Sequence, residues 1–157
     1  MPNENVLTAA ELLEHWQGHR RVTRRMLEAF PEDQLSTFTL GGMRTFADFI
    51  NELLVMAVPI ATGVATGKWP KWETPSETRS KAELLALWDE STAQLNAVWP
   101  TIPPHRFAEV DKAFGQWEGT GIWIILYAID NEVHHRGQGY VYLRALGIEP
   151  PAFYVRD

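Results

Sequence analysis

The run Ile129-Asp130-Asn131-Glu132-Val133-His134-His135-Arg136-Gly137-Gln138 lies inside a largely apolar segment over residues 121 to 146, and its reading decides the fold. It holds two of the five histidines, two acids, two amides and an arginine. Polar groups set in apolar sequence are costly to bury unless they find partners, so this run is the first place to look for a site. Wound as a helix at about 100° per residue, the segment shows two stripes. Ile122, Ile125, Ile129, Val133 and Tyr140 fall on one face. Ile124, Ala128, Asn131, His135, Gln138, Tyr142 and Leu146 fall on a second, apolar at both ends and polar in the middle. A helix buried on two sides sits centrally in a bundle or at a subunit contact. Asn131 and His135 are four residues apart, hence one above the other, and can reach one small object such as a metal ion or a water. A hydrogen-bonded polar layer that only fixes bundle register accounts for the same spacing.

The run Asp130 to Gln138, continued by Tyr142-Leu143-Arg144-Ala145-Leu146-Gly147-Ile148 and Pro150-Pro151, resembles the C-terminal signature of the DinB/YfiT-like family. A weaker echo is Arg44-Thr45-Phe46, where such proteins open their second helix. The resemblance implies a four-helix bundle with a divalent-metal site built from a His on the second helix and a His-x-x-x-His pair on the last. Here Asn131 stands where the first His of the pair is expected, His135 is the second, and Glu52 falls where the remaining His belongs. The metal ligands implied are therefore Glu52, Asn131 and His135. Carboxylate and imidazole are good ligands for a divalent first-row ion such as Zn, Ni, Mn or Fe, and an amide oxygen is a weak one. The resemblance also implies a metal-dependent hydrolase or a transferase of low-molecular-weight thiols acting on a small molecule. The alternative is a non-catalytic bundle that binds a small molecule or partner after its metal site has degenerated.

Composition bounds these readings. A chain of 157 residues reads as one domain, 1 to 157, large enough for a real core. With 45% hydrophobic residues and seven tryptophans it is expected to fold. It contains no cysteine, which removes disulfides, a thiolate nucleophile and Cys-ligated zinc. A formal net charge of -6 argues against a broad nucleic-acid surface. Residues 1 to 11 lack the basic start and apolar core of a signal peptide. No uninterrupted apolar run of about 18 residues spans a membrane, so a cytoplasmic protein is expected.

From the N-terminus, Thr8-Ala9-Ala10-Glu11 has the form of a capping box, and Leu12, Trp16, His19, Thr23, Met26 and Phe30 recur at helical spacing until Pro31. A first helix is predicted over residues 8 to 30. His15 and His19 sit four apart, but a metal pair there is discounted, and Arg20, Arg21, Arg24 and Arg25 read as a solvated face. Residues 31 to 43 read as a connection. Thr45-Phe46-Ala47-Asp48 caps a second helix whose stripe is Phe46, Phe49, Ile50, Leu53, Ala57 and Ile60, with a kink or early end expected at Pro59. Glu52 lies off that stripe beside Met56 and Pro59, either partly buried or at the solvent edge, and only the family resemblance decides for the former.

Residues 63 to 79 form a long connection in which Trp69 and Trp72 either cover a pocket mouth or, more simply, pin the loop to the bundle. Ser80-Lys81-Ala82-Glu83 caps a third helix marked by Leu84, Leu87, Trp88, Ser91, Leu95 and Trp99 and ended by Pro100. Residues 101 to 119 read as an irregular crossover with one short helical turn and an exposed His105. Thr120 opens the last helix and Gly147 closes it, and the tail aromatics Phe153 and Tyr154 are expected to pack back on the bundle. The fold predicted is all-α, a four-helix bundle with long crossover connections. The two-sided last helix leaves apolar surface for a homodimer.

No Gly-rich phosphate loop, His-Glu-x-x-His pair or G-x-S-x-G elbow occurs. Glu132-Val133-His134-His135 has the Glu-x-x-His spacing of di-iron bundles without a second copy, so a mononuclear site is preferred. Glu132 and His134 lie off the face of His135 and are expected to bond to neighbouring helices. Gln138 or Tyr142 is placed to orient His135 through its second nitrogen.

Overall fold

The computed structural model describes residues 6 to 75 and 77 to 157. Four long helices form the bundle: α1 (Ala9–Ala29), α3 (Phe46–Thr66), α4 (Lys81–Val98) and α5 (Gly121–Ala145), with a single turn, α2 (Glu32–Leu35), after α1. Helices α1 and α3 are each packed against both α4 and α5, which makes them diagonal partners across the bundle. Capping boxes at Thr8, Thr45 and Ser80 start α1, α3 and α4, and the Thr120 hydroxyl accepts the Trp123 amide at the start of α5. Each such cap is worth about 1 kcal/mol and fixes where its helix begins, hence which residues face inward.

Two apolar clusters fill the bundle. One joins Leu12 and Trp16 to Met56, Ile60, Ile125 and Ile129; the other joins Met26 and Phe30 to Phe46, Ile50, Trp88 and Tyr142. Fully burying a side chain of this size contributes roughly 1.5–3 kcal/mol, so the two ends carry the stability. The polar residues of α5 lie between the clusters, level with His19 and Thr23 on α1 and with Glu52 on α3. The second stripe of α5 is buried or half-buried along its whole length, as its spacing predicts. On the first stripe Val133 is exposed instead, joining Leu126 and Val141 on an outward face.

Several expectations are corrected. Residues 101 to 119 are not irregular with one turn: two 3₁₀ turns (Trp99–Thr101 and Pro104–Phe107) precede an antiparallel hairpin of β1 (Val110–Ala113) and β2 (Trp117–Thr120), paired in the register Val110↔Thr120 to Ala113↔Trp117. Its strands of four residues bury only Ala113, so no alternation was there to read. Phe114 turns the corner at φ 53° beside Gly115 at φ 69°. A left-handed non-glycine residue costs about 1–2 kcal/mol, and burial of the Phe114 ring offsets it. Pro59 does not end α3, because its ring lies on the half-exposed flank while Ile60, Ala61 and Val64 bury the following turns. Helix α3 is long and apolar enough to cross a membrane by length and composition, yet 56% of that stretch is buried inside the protein, as for a core helix.

The four arginines of α1 are not one solvated face. Arg20 is buried with its guanidinium over the Trp88 ring, 4.1 Å from the centroid, and donates to Ser91, Thr92 and the Trp88 carbonyl. Arg24 pairs with Asp89 at 2.6 Å. Arg21 and Arg25 donate to carbonyl oxygens of the C-terminal tail. The tail is therefore tied down by its backbone, while Phe153 and Tyr154, expected to pack inward, are exposed and meet each other edge to face.

Candidate functional site

Glu52 from α3 and His135 from α5 meet across the α3–α5 contact, with Nε2 of His135 3.1 Å from Oε1 of Glu52. The Phe49 ring, one turn before Glu52, stacks on the imidazole at 4.6 Å and 14°. The other ring nitrogen, Nδ1, lies 2.8 Å from Oε1 of Gln138, so the orienting role falls to Gln138 rather than Tyr142. Gln138 is held in turn through its amide nitrogen, 3.2 Å from the sulfur of Met43. That contact fixes which end of the amide faces the imidazole, since the reverse orientation would set an oxygen against the sulfur. The hydroxyl of Tyr142 donates instead to the Arg44 carbonyl at 2.6 Å.

The third expected residue, Asn131, also reaches Glu52, but through its donor end. Its Nδ2 donates to Oε1 at 3.1 Å and lies 3.2 Å from the sulfur of Met56. The remaining carboxylate oxygen, Oε2, is 2.6 Å from the Arg44 guanidinium, which extends over the Phe49 ring. The bonds from His135, Asn131 and Arg44 hold the Glu52 carboxyl at about 2, His135 contributing most, against burial, which pushes it up. Glu52 is partly buried, its side chain 16% exposed, and is thus an ionised carboxylate ringed by donors.

Glu52, Asn131 and His135 lie together, and Arg44, which the sequence did not single out, joins them. Arg44 reads in the sequence only as the residue ahead of a helix cap, and no periodicity links that position to the α5 stripe. The donor set is a poor fit to a divalent ion. Three lone pairs would have to converge, yet Asn131 presents hydrogens and a guanidinium already lies against the carboxylate. Among the described residues no group of three or more His, Cys, Asp or Glu side chains is placed to hold a metal. Nor do His15 and His19 form a ligand pair: their rings meet edge to face at 4.7 Å, and Nδ1 of His19 is 2.9 Å from the Arg136 guanidinium.

Glu132 and His134, expected to bond to other helices, part ways. Glu132 is buried against α1, accepting from the Thr23 hydroxyl at 2.6 Å and the Trp16 indole at 3.2 Å, whereas His134 is exposed. These bonds account for the polar band on the α1 side of α5, separate from the Glu52 contact on its α3 side.

A cavity of about 230 Å³ opens over Glu52. Its walls include Trp72 from the long connection, Phe114 and Trp117 from the hairpin, and Trp123 and Tyr127 from the first turns of α5. Both readings of the connection hold, one for each tryptophan. Trp69 pins the loop, its ring so close to Gly63 that an added Cβ would lie 2.4 Å away, and Trp72 lines the cavity.

The DinB family model matches residues 1–157 of the chain. The uncharacterized protein YjoA of Bacillus subtilis is 23% identical over 146 residues, covering 92% of this chain and 94% of that protein. The crystal structure of that DinB-like protein superposes with a TM-score of 0.73 at 22% identity, over 90% of this chain and 96% of that one. A DinB-like protein from Bacillus cereus gives a TM-score of 0.73 at 18% identity, over 92% of this chain and 97% of that one. These two likenesses carry the all-α bundle fold and nothing finer.

Proposed function

Because the chain belongs to the DinB family, we propose that it binds a small molecule in the cavity over Glu52, and that Arg44, paired with the Glu52 carboxylate outside the cavity lining, stands in for the positive charge a divalent ion would otherwise bring. One observation carries this reading. Both oxygens of Glu52 are already engaged, Oε2 by the Arg44 guanidinium and Oε1 by the Asn131 amide, with Nε2 of His135 beside it at 3.1 Å. A carboxylate so satisfied gains little from a metal ion, which would have to displace the guanidinium and turn the Asn131 amide over.

The second reading is a metal-dependent hydrolase or low-molecular-weight-thiol transferase with Glu52, Asn131 and His135 around the ion. It is favoured by the imidazole contacts. With Nδ1–H given to Gln138, a neutral ring points its Nε2 lone pair at a carboxylate oxygen, an arrangement that needs either a second ring proton or a shared cation.

Metal analysis of protein purified without a histidine tag, with thermal unfolding in added zinc, nickel and manganese, separates the two. The binding reading expects no stoichiometric metal and an unchanged melting temperature. Bound metal lost in both Glu52→Ala and His135→Ala would support the enzyme reading and overturn the metal-free one. We also infer a homodimer through the outward face of α5 at Leu126, Val133 and Val141, which sedimentation equilibrium of the wild type against Val133→Glu would test.

A further inference from the structure

Resting on the reading that the cavity over Glu52 is the binding site, we propose that its ligand is a small organic cation, an alkylated or aryl ammonium, received by a ring of aromatic side chains with the carboxylate at its inner end. Trp117, Trp123 and Tyr127 keep 42%, 49% and 49% of their surface exposed, so part of each ring is open to a ligand. The wall is set before anything binds. Trp123 stacks on Tyr127 at 5.8 Å and 20°, Trp72 meets Trp117 edge to face at 5.7 Å, and Phe114 lies 5.1 Å from Trp72. Trp123 also lies flat on the hairpin, where a Cβ at Gly119 would come within 2.4 Å of its ring.

Charge decides the class of ligand. Aromatic faces carry the negative end of the ring quadrupole and attract ammonium groups within about 6 Å of the centroid. Glu52 is the acid among the lining residues, and no Lys or Arg is found among them within the described residues. An anion would meet a carboxylate and ring faces, and Arg44, the cation paired with Glu52, is not among the lining residues. A neutral apolar molecule would strip water from the carboxylate without replacing it. An ammonium meets both the aromatic faces and the negative charge of Glu52, which the half-exposed Arg44 offsets only in part. The volume, about 230 Å³, falls below the roughly 300–1,000 Å³ of drug-sized ligand sites, so the cation is small.

Choline and its uncharged isostere 3,3-dimethylbutan-1-ol have the same shape and differ in charge, and titration of each into the full-length protein, followed by tryptophan fluorescence and calorimetry, tests the proposal. Choline is expected to bind at least about ten-fold more tightly than the alcohol, with Trp123→Leu and Trp117→Leu each weakening choline several-fold while circular dichroism stays unchanged. Glu52→Gln is expected to weaken choline and leave the alcohol unaffected. Equal binding of the two, or tighter binding of the alcohol, overturns the organic cation and leaves the small-molecule reading standing. Failure of both probes, and of phenyltrimethylammonium and benzyl alcohol with them, overturns the cation proposal and the binding reading together.

Discussion

Asn131 presents its amide nitrogen to Glu52, 3.1 Å from Oε1, and so closes with a hydrogen bond the position where the family resemblance sets a metal-ligating imidazole. If donor chemistry alone keeps a metal out, restoring imidazoles must let one in. The double variant Glu52→His/Asn131→His is expected to bind zinc or nickel stoichiometrically, with His135 as third ligand and Gln138 still fixing its ring. The gain appears as bound metal after dialysis and as a melting temperature that rises with added ion. Ion at about 100 times its dissociation constant adds about 2.7 kcal/mol. A double variant that folds and stays metal-free would show that the helix spacing, and not the donor set, excludes the ion.

Arg44 and Glu52 form a half-buried pair, and their coupling is open to measurement. A double-mutant cycle with Arg44→Ala and Glu52→Gln is expected to give about 1 kcal/mol of interaction, the upper end for pairs near the surface, because the side chain of Arg44 is 46% exposed and solvent screens it. Urea unfolding checks the value, which should shrink in high salt. An interaction near zero would mean that the guanidinium is not the cation of this site.

How far the sequence led can be judged from α5. The face carrying Asn131, His135 and Gln138 was legible because helical spacing is local, and it placed the Glu52 contact once the family resemblance had supplied the second helix. Arg44 was not legible, since it comes from the segment ahead of α3 and reaches Glu52 by the length of its side chain. The hairpin was hidden for a different reason: Val110-Asp111-Lys112-Ala113 buries one residue in four, so its pairing leaves no hydrophobic period. Arg20 shows the limit of reading charge as exposure. Its neighbours Arg21, Arg24 and Arg25 have the same composition, and only Trp88 and Ser91, more than sixty positions on, make its burial affordable.

His19 ties stability to pH. Burial first, then the nearby Arg136 guanidinium, brings its imidazole down to about 4, and Nδ1 already accepts from Arg136 at 2.9 Å. The folded state thus binds a proton at His19 less readily than the unfolded chain does. The stability this group contributes is complete above the ordinary value of 6.5 and is lost as pH falls from 6.5 through about 4. The ceiling is about 3 kcal/mol for a shift of this size. Urea unfolding at pH 7, 5.5 and 4 should show wild type losing more than His19→Gln over this window, since carboxylates titrate alike in both. Parallel profiles would place the acid sensitivity elsewhere.

Glu132 is the converse case. Burial pushes its carboxyl up despite Arg20, the Thr23 hydroxyl, Arg136 and the Trp16 indole, all of which favour the charge. The stabilising state of such a group is the protonated one, present below the ordinary carboxylate range and lost as pH rises through its folded value. What the fold requires is therefore the pair of hydrogen bonds to Trp16 and Thr23. Glu132→Gln can keep both, its oxygen accepting from the indole and its amide donating to the hydroxyl. It is expected to cost less than about 1 kcal/mol at pH 7. Glu132→Leu leaves the Trp16 indole unmatched in the interior, while the Thr23 hydroxyl keeps the His19 carbonyl at 3.1 Å, and is expected to cost about 2 kcal/mol by denaturant unfolding. If glutamine and leucine were equally damaging, the charge itself, through Arg20 and Arg136, would be what the bundle depends on between α1 and α5.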